Sequence, residues 1–163
     1  MVTITADKAA TQTLVGMGQI AAGRAPTQMK AVLGSCIGLA IYHARLKTAA
    51  VAHIVLPESA GRDGTPGKFA DTAVPEMIRM LKELGAPTHG LTAKLAGGAN
   101  MFASSGPLQI GDANVEAVAA ALKSVGIPGV AQDVGGTKGR RIVFDCVSGQ
   151  MTVECPGKTP RTL

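Results

Sequence analysis

The chain has 163 residues, 46% of them hydrophobic, which is the length of a single domain with enough apolar material for its own core. One Tyr, three Phe and no Trp mean that this core is built from Val, Leu, Ile, Ala and Met. The net charge of +5 invites a nucleic-acid reading, but the basic residues are scattered, with 138–141 the densest group, and there is no aromatic platform for stacking on bases.

In chain order, residues 1–13 show little periodicity and read as an extended arm or edge strand. Gly16-Met-Gly18 resembles a dinucleotide-binding fingerprint, but that pattern has meaning only where a helix opens directly behind it. Gly23 and Pro26 leave no room for one. Residues 37–42 and 49–56 are apolar runs rich in β-formers, separated by the polar break 43–47 and closed by Pro57, and they read as an antiparallel hairpin. Residues 58–68 form a Gly-, Ser- and Pro-rich loop of the kind that shapes a site beside a strand.

A helix is predicted over 71–84, capped by Asp71 or Thr72, with Pro75 in its first turn and Val74, Met77, Ile78, Leu81 and Leu84 as its apolar stripe. Residues 91–96 read as a strand that ends in Gly97-Gly98, whose backbone N–H groups are candidates to line a substrate pocket; the alternative is a tight turn and nothing more. Met101, Phe102 and Leu108 supply exposed or half-buried apolar material nearby. A second helix is predicted over 112–125, with the stripe Val115, Val118, Ala119, Leu122 and Val125, stopped by Gly126 and Pro128. Strands follow at 130–134, 141–147 and 151–154, with Ser148-Gly149 as a hairpin turn that sets Cys146 opposite Met151. The tail 156–163 reads as frayed. Two helices among seven or so strands, joined more by hairpins than by βα crossovers, give an α+β fold in one domain spanning 1–163.

Three cysteines without framework spacing argue for a reducing compartment. The apolar run 31–44 is shorter than the roughly 20 residues a bilayer span needs, and the start lacks the basic-then-apolar pattern of a secretory signal. The expectation is a cytoplasmic protein without membrane insertion.

The chemistry centres on Cys36 and His53. A reversal near Ala44-Arg45 makes partner numbers in the hairpin sum to about 89 and sets Cys36 opposite His53 on one face, at the separation a thiol nucleophile and its base require. A one-residue slip would part them. The plainer alternative is a buried apolar cysteine and a satisfied core histidine.

At Leu33-Gly-Ser-Cys36 and Ala52-His53-Ile-Val-Leu-Pro57 the sequence resembles the CheD family of chemoreceptor glutamine deamidases. The resemblance continues through Val15-Gly-Met-Gly18, residues 66–73, Ala96-Gly-Gly-Ala99, Ile110-Gly, Asn114-Val-Glu-Ala117 and Asp133-Val-Gly-Gly136. It implies a three-layer α/β/β sandwich, mostly antiparallel, with two long helices on one side. It implies Cys36 and His53 as the catalytic pair and hydrolysis of glutamine side-chain amides without metal or cofactor; Gly34, Ser35, Gly97 and Gly98 are the candidates for its substrate pocket. The implied partners are cytoplasmic helices of chemoreceptors and a CheC-type phosphatase. The family's active-site threonine six residues before the cysteine is Lys30 here, which motivates an alternative: a non-catalytic interaction module on the same fold.

Overall fold

The computed structural model describes residues 10–101 and 109–163. Among these, two α-helices and ten strands form three layers. The inner sheet runs in the order β2 (Ile20–Arg24), β5 (Thr48–Ile54), β4 (Ile37–His43), β6 (Leu91–Gly97), β7 (Gly129–Val134). The outer sheet runs β1 (Gln12–Leu14), β3 (Gln28–Leu33), β8 (Arg140–Asp145), β9 (Met151–Glu154), β10 (Arg161–Thr162). Only β1–β3 and β6–β7 pair in parallel.

Every residue of β4 and β5 is buried, because this hairpin is covered on both faces. Leu39, Ile41, Ala50, Ala52 and Ile54 meet the helices α1 (Ala70–Glu83) and α2 (Ile110–Ser124) through Val74, Met77, Leu81, Val118 and Leu122. Ala40, Tyr42, Ala49 and Val51, on the alternate face, meet Met29, Ile142, Phe144 and Met151 of the outer sheet. Each large aliphatic side chain buried in these layers contributes about 1.5–3 kcal/mol of transfer free energy. The α+β reading and its three layers therefore hold.

Several local expectations change. Neither Asp71 nor Thr72 caps α1; Phe69 occupies that position without a side-chain bond. Asp71 instead accepts from both the N–H and the hydroxyl of Ser59, at 3.0 Å each, and so ties the 58–68 loop to the helix. Pro75 sits beyond the first turn. On α2, Val118 and Leu122 of the predicted stripe are buried and Val115 and Val125 pack partly against the core, but Ala119 is exposed and Gly111 and Asn114 complete the buried line. In the β8–β9 hairpin Phe144, not Cys146, stands opposite Met151. The tail is not frayed, since β10 pairs with β9 and Leu163 exchanges backbone bonds with Met151. Strands β2 and β3 have no counterpart in the sequence reading. Of the apolar material expected near Met101, Phe102 and Leu108 lie outside the described residues.

Candidate active site

Cys36 sits in the bend between β3 and β4, just ahead of the first residue of β4, and is 8% exposed. Its carbonyl accepts from Gly98 N at 2.9 Å, and the Gly34 carbonyl accepts from Ala99 N at 3.0 Å. The end of β6 thus backs the cysteine bend through the main chain. Gly97 must be glycine for this approach: its φ is +109°, and a Cβ there would lie 2.2 Å from the Cys36 carbonyl oxygen. Gly97 and Gly98 therefore stand behind the cysteine, and the Gly98 N–H is already engaged. Gly34 and Ser35 form the approach to Cys36, with Met101 packed over Gly34.

His53 lies in β5 and is 4% exposed. Its ring Nδ1 is 3.0 Å from the carbonyl oxygen of Val15. A carbonyl only accepts, so Nδ1 carries the proton, and the lone pair of the neutral ring is on Nε2. The backbone is fixed as well: His53 N donates to Gln19 O at 3.0 Å, and Gly18 N donates to His53 O at 2.9 Å. The Gly16–Gly18 stretch is thus a loop gripping β5, with β2 rather than a helix behind it.

The register differs from the sequence estimate. Gly38, not Cys36, is paired with His53, and partner numbers sum to 91 because the turn holds four residues, Ala44 to Lys47, with Lys47 at φ +47°. A shift of two preserves the face. The last ladder pair is Ile37 with Ile54; one further rung would set Cys36 level with Val55, two residues from His53 on the same side. Diagonal neighbours of this kind have Cα atoms about 7–8 Å apart, within reach of an imidazole. Gly38 leaves the space beside His53 open to Leu33 and Ile142, whose methyls would lie 2.9 and 2.5 Å from a Cβ there.

Burial raises the pKa of the Cys36 thiol above its ordinary value, partly offset by its own backbone N–H. Burial thus favours the neutral thiol of Cys36 over a thiolate. Lys30 is half-buried on β3, and its ammonium bonds Gln12 Oε1 at 2.9 Å. Its main chain bears more directly on the site, since the Lys30 carbonyl accepts from Val15 N at 2.8 Å.

Two contributors were not singled out in the sequence. Val15 acts through its carbonyl, which no side-chain pattern reveals. Asn114, on the buried face of α2, donates from Nδ2 to Ser35 O at 3.0 Å and to Val55 O at 2.9 Å. Its signal was a polar residue in the middle of an apolar helix face. A groove of about 580 Å³ lined by Val32, Arg141 and Cys155 among others does not include Cys36 or His53. Among the described residues no cluster of His, Cys, Asp or Glu could hold a metal ion, and no helix is long and apolar enough to cross a membrane.

Comparison with known proteins gives a consistent family. The model described as CheD chemotactic sensory transduction matches residues 55–155. The chain is 41% identical over 141 residues to the probable chemoreceptor glutamine deamidase CheD of Methanococcus vannielii, covering 85% of this chain and 92% of that protein. It is 40% identical over 145 residues to the chemoreceptor glutamine deamidase CheD of Thermotoga maritima, covering 88% and 92%. A probable chemoreceptor glutamine deamidase CheD of Clostridium botulinum is 39% identical over 149 residues, with coverage of 88% and 92%. With relatives this similar spanning most of both chains, the protein belongs to the CheD family.

Proposed function

We propose that this protein deamidates glutamine side chains on the cytoplasmic helices of chemoreceptors, using Cys36 as nucleophile and His53 as its base. The observation that carries the reading is the His53 ring itself: Nδ1 is spent on the Val15 carbonyl, so Nε2 is the nitrogen left to take a proton, on the strand whose partner β4 begins directly after Cys36. The names of the relatives supply the substrate class.

The free enzyme starts from a neutral thiol. As Sγ bonds to the amide carbon, its proton passes to His53 Nε2, and the carbonyl π pair moves onto oxygen. The N–H groups of Ser35 and Cys36, which donate to no backbone carbonyl among the described residues, are the candidate donors for that oxyanion. The imidazolium then protonates the departing nitrogen, the C–N bond breaks, and ammonia leaves a thioester. Water attacks the thioester with His53 again as base; the C–S bond breaks, the thiol is regenerated, and glutamate remains on the receptor. A receptor helix places the reaction in the cytoplasm, and a CheC-type phosphatase is a second partner under this reading.

The test is peptide mass spectrometry of a receptor cytoplasmic fragment incubated with the protein and, in parallel, with Cys36→Ala and His53→Ala. Glutamine should become glutamate only with the unmodified protein. If the unmodified protein binds the fragment but leaves every glutamine intact, the non-catalytic interaction module motivated by Lys30 is the correct description.

A further inference from the structure

Asn114 is wholly buried, yet its carboxamide is used by two elements outside its own helix. Both partners are main-chain carbonyls, Ser35 O and Val55 O, so the NH2 group must face them and the amide orientation is determined. The two carbonyls have a specific relation to the site. Ser35 immediately precedes Cys36, and Val55 is two residues beyond His53. The β4–β5 ladder ends at Ile37 with Ile54, while the Val55 N–H turns away to Lys68 O at 2.9 Å. Beyond that pair no β4–β5 backbone bond forms among the described residues, and the Ser35 and Val55 carbonyls both accept from Asn114 Nδ2.

We infer that Asn114 is a positioning residue: its carboxamide replaces the missing ladder rung and fixes the cysteine bend against the histidine strand. This inference rests on the proposed roles of Cys36 and His53. The cost of the arrangement supports it. With both amide hydrogens committed to carbonyls, Oδ1 is buried without a donor among the described residues. A buried acceptor without a donor is destabilising, so a residue serving only to fill the α2 interface would be better as Leu or Val, like its neighbours Val118 and Leu122. The carboxamide earns its place by holding two strand ends at one spacing, and a misplacement of about 1 Å between reacting groups can cost about 100-fold in rate.

The experiment uses the full chain with Asn114→Asp, which keeps the shape but sets oxygens against two carbonyls, and reads two quantities. Deamidation of a receptor cytoplasmic fragment gives kcat and KM; iodoacetamide labelling resolved by peptide gives the reactivities of Cys36 and Cys146. The result expected is a kcat lower by about 100-fold with KM within about threefold. Labelling of Cys36 should be faster by about fivefold or more while Cys146 is unchanged, because only the bend has opened. A kcat per folded molecule equal to the parent's, or Cys36 and Cys146 accelerating together, overturns the inference and makes Asn114 a packing residue. Should the aspartate variant not fold, Asn114→Ser, which retains one donor and adds no charge, is carried through the same measurements with the same two outcomes. If the unmodified protein itself leaves the receptor fragment intact, the deamidase reading fails, and the contrast between Cys36 and Cys146 labelling still decides the role of Asn114.

Discussion

The Val15 carbonyl oxygen lies 3.0 Å from Nδ1 of His53, and the same residue's N–H is held by the Lys30 carbonyl at 2.8 Å. The imidazole is thus oriented through a short main-chain relay from β3 to the loop that precedes β2, with no side-chain orienter among the described residues.

That relay predicts the outcome of restoring threonine at position 30. The Lys30 side chain reaches Gln12, and its contribution to the site is its carbonyl, which any residue supplies. Lys30→Thr should change kcat/KM by less than about fivefold, the kinetic equivalent of ~1 kcal/mol. Steady-state deamidation by the two proteins checks this. An increase beyond tenfold would mean that a hydroxyl at position 30 acts directly in the reaction.

How much of this was legible in the sequence follows from what each residue contributes. The β4–β5 hairpin was visible because burial on both faces demands unbroken apolar runs. Its register was not, because the turn is two residues longer than a tight reversal and ends in Lys47 at φ +47°, a conformation no residue preference announces at a lysine. Because the error is even, His53 keeps its face and meets Gly38, while Cys36 lies in the bend ahead of the ladder. Strands β2 and β3 escaped because Gly23, Gln28 and Lys30 dilute their hydrophobicity, half of β3 facing outward. Val15 acts through a carbonyl, and Asn114 had been noted only as part of a family-like fragment.

The thiol state of Cys36 gives a second prediction. Burial raises its pKa and so favours the neutral thiol in the free protein, the starting state of the proposed mechanism. Iodoacetamide at neutral pH should label Cys155, which is half-buried, before Cys36, and the Cys36 rate should keep climbing through pH 9, the ordinary thiol value used as reference. Peptide-resolved labelling across pH reads this directly. A Cys36 rate already level below pH 7 would indicate a standing thiolate–imidazolium pair and contradict the neutral-thiol start.

Gly97 and Gly126 form a natural contrast. Both have positive φ, +109° and +71°, but a Cβ at Gly97 meets the Cys36 carbonyl oxygen at 2.2 Å whereas one at Gly126 meets nothing within 4 Å. Gly126→Ala should cost only the left-handed backbone strain, about 1–2 kcal/mol, with deamidation per folded molecule retained. Gly97→Ala adds a main-chain clash and should cost about 3 kcal/mol or more. It should also lower turnover in the fraction that folds, since the displaced group is the cysteine's own backbone. Urea unfolding paired with receptor deamidation separates the two, and equal activity loss in both variants would disconnect Gly97 from the site.

Cys146 predicts how stability depends on alkaline pH. It is fully buried, and burial first, then the neighbouring Asp145 carboxylate, push its thiol up to about 11 from 9.0. The folded protein therefore binds this proton more tightly than the unfolded chain does. The resulting stability is present in full below pH 9 and is lost as pH rises from 9 toward 11. A shift of this size corresponds to about 2–3 kcal/mol. Tyr42, whose hydroxyl donates to the Cys146 carbonyl at 2.8 Å, is also raised, chiefly by burial, and its proton is lost with the same sign. Urea unfolding at pH values below 9 and approaching 11 should show a steep fall for the parent and a shallower one for Cys146→Ala, which begins lower because it loses packing but has no thiol to ionise. Parallel curves for the two proteins would show that Cys146 ionisation does not drive the alkaline loss.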